Sequence, residues 1–265
     1  MFTSPSSRGP VNALGTVAQC WCYPVKSMQG QPRGELSITA AGVDGDRAWA
    51  VIDAAANRIL SAKRTAALLG ARASDDAIEL PDGSTIALED PDASAALSRW
   101  LTRDVRLARP RPGEQLAYQM TFDPPNDDAE YYDIPAPEGS FVDLAPLHLV
   151  TTATLSGCAK ARPDLDWDVR RFRPNVVIDI DGEAFCEDRW SGQAIQVGTR
   201  TVLEVAQPTV RCAMPLRSQP GLQRQPRLFG ALNELNPAFP NHLGVYARVR
   251  TPGPIRVGDP VTFPS

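Results

Sequence analysis

Apolar residues in this chain fall mostly in short runs, many of them alternating with polar positions and broken by proline, glycine or aspartate. Period-two alternation over a few residues predicts strands half-buried on a sheet. The stretches that read this way are 15–23, 35–39, 47–52, 78–80, 85–88, 105–107, 175–180, 194–197, 201–205, 245–249 and 261–263. Asp82-Gly83 falls between two of them and predicts a hairpin turn. Ile195-Gln-Val-Gly198 and Ile255-Arg-Val-Gly258 share an apolar alternation that ends in glycine, the punctuation of small closed barrels.

Helical spacing shows in three places. Over 91–102, Ala93, Ala96, Leu97, Trp100 and Leu101 form one stripe, with Asp92 or Ser94 near the cap. Over 152–161, Leu155, Cys158 and Ala159 share a side, so Cys158 reads as a small buried apolar residue. A third helix begins near Pro226 and turns Leu228, Phe229, Leu232 and Leu235 inward. Between these regions, 109–140 reads as a linker, because its repeated prolines and acidic residues oppose helix and central strand alike. The predicted division is a disordered lead-in over 1–12, an N-terminal β-rich domain over 13–117 and a second domain over 118–265.

Composition agrees and narrows the function classes. The chain has 265 residues, 25 of them proline and 19 glycine, which suits two domains of short elements joined by turns. A formal charge of −4 argues against nucleic acid as a partner while leaving room for a local basic pocket. No apolar run reaches 18 residues and the N-terminus lacks a signal-peptide core, so no membrane insertion is expected. The five cysteines, at 20, 22, 158, 186 and 212, are too irregular for a disulfide framework and fit a reducing, cytoplasmic setting. With two histidines, no HExxH and no Cys-x-x-Cys, zinc chemistry is disfavoured, and the cysteine spacing does not suit an iron–sulfur centre. Cys20 and Cys22 share a strand face and read as packed core.

Cys212 lies in Gln207-Pro-Thr-Val-Arg-Cys-Ala-Met-Pro215, at the end of an apolar run and beside Arg211. A cysteine so placed is either an inert thiol or a nucleophile or soft metal ligand. Three further motifs bear on the choice: Tyr23-Pro-Val-Lys-Ser-Met28, Gly42-Val-Asp-Gly-Asp-Arg-Ala-Trp49, and Arg170-Arg-Phe-Arg-Pro-Asn-Val-Val-Ile178. Taken singly, Lys26, Arg47 and Arg173 read as surface charges at least as readily as ligand contacts.

In their order and spacing these motifs, with Arg211-Cys212 and the closing Ile255-Arg-Val-Gly-Asp-Pro-Val261, resemble the MOSC family of molybdenum-cofactor proteins. Within it the branch of the mitochondrial amidoxime-reducing component and its bacterial relatives is the nearer likeness, over about residues 14 to 263. The resemblance implies a mainly β (α+β) fold: a smaller N-terminal β-rich domain packed on a MOSC-type β-barrel with a few helices, the cofactor lying in the cleft between. It implies a molybdenum cofactor (Mo-molybdopterin) contacted by Lys26, Ser27, Arg47, Thr151, Arg173, Asn175, Arg211 and Tyr246, with Cys212 as metal ligand and catalytic residue. Thr151 also sits where it would cap the helix over 152–161.

The implied activity is an oxidoreductase that reduces N-hydroxylated (N–O) small molecules. A separate electron-donor protein of ferredoxin, flavoprotein or cytochrome type is implied too, since no ferredoxin-like extension follows the last motif. The chain departs from that branch at Val210, where a hydroxyl residue is the rule, and at Ala213-Met-Pro215, where threonines are. Both changes remove hydrogen-bond donors beside the cysteine. Two other functions stay open: a sulfur carrier or sulfurtransferase with a persulfide on Cys212, and a cofactor-binding carrier without catalysis. His148 and His242 match no role and read as structural or surface histidines.

Overall fold

The structure is a computed structural model that describes residues 13–121, 123, 126, 129–137 and 139–264; the lead-in expected over 1–12 lies outside the described residues. The fold is mainly β, as predicted, with four α-helices among the described residues: Ala93–Leu101, Thr152–Ala161, Val169–Phe172 and Leu228–Leu235. None is long and apolar enough to cross a membrane.

Seven strands close into a barrel in the order Ala13–Cys22, Val176–Asp179, Leu147–Thr151, His242–Thr251, Thr201–Val210, Ala194–Val197 and Pro260–Thr262, the last pairing back to the first. Alternate residues fill its interior: Leu147 and Leu149, Val176 and Ile178, Ile195 and Val197, Leu203 and Val205, Val245 and Ala247. The strand Leu147–Thr151 has no counterpart among the predicted strands. All five of its residues are buried, so it lacks the alternation that marks a half-exposed strand. Cys20 and Cys22 join the barrel core, where burial pushes both thiols up to about 12.

The strand Ala13–Cys22 belongs to this barrel although it opens the chain. Beside it, Glu35–Thr39 pairs with Gly42–Val43 and with Gly253–Arg256 near the C-terminus. The N-terminal segment through Val43 is therefore hydrogen-bonded into the C-terminal half.

The rest of the N-terminal half is built on a five-stranded sheet of Val105–Ala108, Ala50–Asp53, Arg58–Ile59, Ala117–Met120 and Tyr132–Pro135. Its core of Val51, Leu68, Leu69, Ile78, Leu97 and neighbours also takes in Met214 from the C-terminal half. The helix Ala93–Leu101 packs Leu97 into that core; Asp92 makes no side-chain cap bond, and Ser94 Oγ instead accepts from Leu107 N. The hairpin predicted at Asp82-Gly83 joins Ala77–Glu79 to Thr85–Ala87, with Gly83 at φ 84°. The stretch read as a linker carries two strands. Ala117–Met120 pairs with Arg58–Ile59, so the residue 117/118 junction falls inside a ladder that carries the N-terminal sheet on to Pro135.

Candidate functional site

Where the N-terminal sheet meets the open end of the barrel lies a cavity of ≈ 340 Å³. Of the residues singled out in the sequence, Lys26, Ser27, Arg47, Arg173, Asn175, Arg211, Cys212 and Tyr246 all line it. The first three come from one half of the chain and the other five from the opposite half.

Turns aim the N-terminal set. Met28 N donates to Val25 O, closing a turn in which Ser27 sits at φ 70°. Ser27 Oγ accepts from Ala62 N at 3.1 Å. Lys26 Nζ donates to Phe141 O and to Asp143 Oδ1, both at 2.6 Å. Arg47, at φ 51°, is tied by its N–H to Tyr23 O and by its guanidinium to Asp46, whose other oxygen accepts from Tyr23 N.

Tyr23 stands between the two halves. The Arg47 guanidinium lies 5.0 Å and that of Arg173 4.2 Å from its ring centroid, while its hydroxyl donates to Pro174 O at 3.1 Å. Arg173 ends the helix Val169–Phe172 in a left-handed conformation, φ 56°, and donates to Met28 O at 2.6 Å. Asn175 is spent on structure as well: its Oδ1 accepts from His148 N, and its Nδ2 reaches Trp21 O at 3.4 Å. Arg211 follows the strand Thr201–Val210 and donates to Phe172 O at 2.8 Å. Cys212 comes next, half-buried in the cavity wall.

The electrostatics are lopsided. Lys26, Lys63, Arg47, Arg173 and Arg211 face the cavity or its wall, and the carboxylates that pair with any of them are Asp143 and Asp46. Neither Arg173 nor Arg211 has a carboxylate partner among the described residues. Burial pulls Arg173 down to about 10, Tyr23 only partly offsetting it, and burial likewise lowers Arg211. Burial alone would raise the Asp143 carboxyl, but Lys26 and Lys63 outweigh it and hold the group well below the usual carboxylate range. Lys26 is lowered because its burial outweighs Asp143. Lys63 moves the other way: Asp143 and the Cys212 sulfur prevail over its burial. Two buried polar atoms in the wall, Arg211 Nε and Asn241 Oδ1, have no partner. An excess of fixed cations, with an unspent donor and an unspent acceptor beside a soft sulfur, can hold an anion and a soft metal together.

Thr151 requires a correction. It does not line the cavity; it caps the helix Thr152–Ala161, its Oγ1 accepting from Thr154 N and donating to Glu187 Oε2 at 2.9 Å. The helix start turns it toward the buried Glu187 on the far side of its strand. Several wall residues carried no sequence signal, Ser61, Lys63, Asp143, His148 and Asn241 among the polar ones. His148 was read as structural or surface; it is buried in the wall, with Nε2 3.2 Å from Leu243 O and 3.4 Å from Arg211 Nη1. Burial, then Arg211, drives it well below the ordinary histidine range, so it stays neutral. Gly244 leaves it room, since a Cβ there would come within 2.5 Å of His148 Nε2. His242 is half-exposed and donates from Nδ1 to Pro240 O.

Comparison with known proteins gives two matching family models, the MOSC N-terminal beta barrel domain over residues 14–111 and the MOSC domain over residues 137–262. Mitochondrial amidoxime-reducing component 1 of Homo sapiens is 25% identical, the match covering 94% of this chain and 82% of that protein. Mitochondrial amidoxime reducing component 2 of Homo sapiens is 24% identical, covering 97% and 86%. Among solved structures, the YUAD protein from Bacillus subtilis aligns over 93% of each chain at 11% identity and a TM-score of 0.43.

Proposed function

We propose, for a chain that belongs to the MOSC-domain proteins, that this cavity holds a molybdenum cofactor at which N-hydroxylated or related N–O substrates are reduced. The observation that carries the reading is convergence. Lys26, Ser27 and Arg47 from one half meet Arg173, Asn175, Arg211, Cys212 and Tyr246 from the other around a single space. Five cations against two carboxylates leave a positive excess that a phosphate-bearing cofactor would neutralise.

The residues present fit such a group. Arg173 would serve its phosphate, and the unpartnered Arg211 Nε and Asn241 Oδ1 its hydrogen-bonding ring. The Cys212 sulfur would ligate the metal, since a soft thiolate suits a metal already held by sulfur. When bound, the cofactor supplies a two-electron redox centre for the N–O bond. The overall reduction takes two electrons and two protons, breaks N–O, forms N–H and releases water. The electrons would come from a separate donor protein. This chain's part is to bind and orient: Asp143 holds Lys26 and Lys63 in place, and neutral His148 sets no like charge beside Arg211.

Metal analysis tests the reading. Protein made in a host that synthesises the cofactor should carry about one molybdenum per chain and yield a fluorescent pterin on oxidation. Cys212→Ala should lose the metal while pterin is retained through its phosphate. Neither metal nor pterin in the parent protein would sink the proposal, and a labile extra sulfur on Cys212 without metal would point to sulfur transfer instead.

A further inference from the structure

The cavity is graded from floor to mouth. Lys26, Ser27, Arg173, Asn175 and Arg211 are each less than a tenth exposed, whereas Leu144 and Val210 are 47% and 42% exposed and line the same space. Five large apolar side chains are markedly exposed among the described residues, and two of them are these. Met120 stands in the same wall, half-buried. Beyond Val210, which pairs in register with His242, the His242 ring lies edge-to-face with Phe239, itself 40% exposed, their centroids 6.1 Å apart. The register shifts between Pro208 and Val210, and at that irregular strand end Thr209 is fully buried while Val210 is exposed, in a place where a polar residue would ordinarily stand. Leaving a large aliphatic side chain in water forgoes the gain of burying it, and apolar groups gathered at a cleft mouth mark a place where a ligand covers them.

Charge narrows the ligand further. Among the described residues Asp143 is the one acidic side chain in the cavity wall, and Lys26 and Lys63 already share it, so no free carboxylate stands there to pair with a cationic body. An anionic body would lose its hydration against Leu144, Val210 and Met120 with no donor there to replace it. We propose, resting on the function proposed above, that the cavity selects N–O substrates whose reactive group is carried on an uncharged apolar body, and that Leu144 and Val210 are the specificity-determining residues, seating that body at the mouth.

Two compounds with the same reactive group test this: benzamidoxime, with an uncharged ring, and its 4-carboxy derivative. The molybdenum-loaded protein with an electron donor should prefer the uncharged compound by roughly tenfold or more in kcat/KM. Leu144→Asp should raise KM for benzamidoxime about tenfold and leave kcat within about twofold, the signature of lost binding and not of lost chemistry. Val210→Ser should do the same to a smaller degree. Both positions are exposed, so both variants should melt close to the parent and carry equal molybdenum. Calorimetry without an electron donor gives a readout independent of turnover: the parent should bind benzamidoxime more tightly than the carboxylate, and Leu144→Asp should weaken its binding of benzamidoxime about tenfold. Equal turnover of the two compounds by loaded parent, or an unchanged KM in Leu144→Asp, would overturn the inference. If the parent holds no molybdenum the cofactor reading fails separately, and the calorimetric preference then decides the inference alone.

Discussion

Left-handed backbone concentrates at the cavity. Seven non-glycine residues have positive φ among the described residues, and four of them, Ser27, Arg47, Arg173 and Asn241, line it. A residue with a Cβ pays about 1–2 kcal/mol for that conformation, and such strain collects where function fixes the backbone. At Arg173 it reverses the chain after Phe172 and turns the guanidinium onto Tyr23. Glycine takes this conformation freely and alanine does not. Arg173→Gly should therefore be more stable than Arg173→Ala by about 1 kcal/mol, while both lose the cofactor to a similar extent; denaturant midpoints and molybdenum per chain check the two halves of the claim. Equal stability of the two variants would show that the conformation at 173 is relaxed. The motifs around Lys26, Arg47 and Arg173 were legible because proline or aspartate stands within two residues of each and marks a turn. Lys63 and Asp143 have no such flank: Ser61-Ala-Lys-Arg64 could be any surface turn, and only the fold brings Lys63 within 3.6 Å of Asp143.

At the scale of elements, the helix Thr152–Ala161 matches its predicted span residue for residue, and it owes its start to Thr151. Thr151→Val removes the cap, worth about 1 kcal/mol, and takes a donor from the fully buried Glu187, about 1–3 kcal/mol more. The expected outcome is a lower denaturant midpoint with molybdenum per folded chain unchanged; a selective loss of molybdenum would restore Thr151 to the site. Nearby, Asp188 in the turn Cys186–Trp190 is raised to about 6 by burial, Glu187 adding to the rise and the Asn236 amide opposing it. Because the folded state holds this proton more tightly than the unfolded chain, its contribution is fully present below about pH 4 and is lost as pH rises through 6. Asp188→Asn should flatten that fall, which urea titrations at pH 5 and pH 7 would show as a smaller difference than in the parent. Three of the strands that escaped prediction did so for two opposite physical reasons. Leu147–Thr151 is buried on both faces and loses its alternation, whereas Ala117–Met120 and Tyr132–Pro135 lie in a stretch whose prolines read as linker. Proline is tolerated at Pro135 because its strand is the edge of the five-stranded sheet.

For the molecule as a whole, the governing fact is that the first strand of the chain completes the barrel of the second half. Ala13–Cys22 bonds to Val176–Asp179 on one side and to Pro260–Thr262 on the other, and it delivers Val17, Cys20 and Cys22 to the barrel core. No local pattern announces this, because an alternating run states that it will lie on a sheet and says nothing of which sheet. The arrangement also fixes the cavity, for the turn carrying Lys26 and Ser27 leaves the barrel directly from the end of that strand. A fragment of residues 140–265 would therefore present two open strand edges and an unfilled core slot, both of which invite association between chains. Expressed alone it should be insoluble or oligomeric, and it should bind no cofactor. Co-expressed with residues 1–139 it should yield a soluble one-to-one complex that recovers molybdenum, because the missing strand and the Lys26–Arg47 side of the cavity return together. Size-exclusion chromatography with denaturant unfolding reads the first outcome and metal analysis the second. A monomeric 140–265 fragment that unfolds cooperatively would mean that the barrel closes without its first strand, and the two halves would then be joined by the cavity contacts alone.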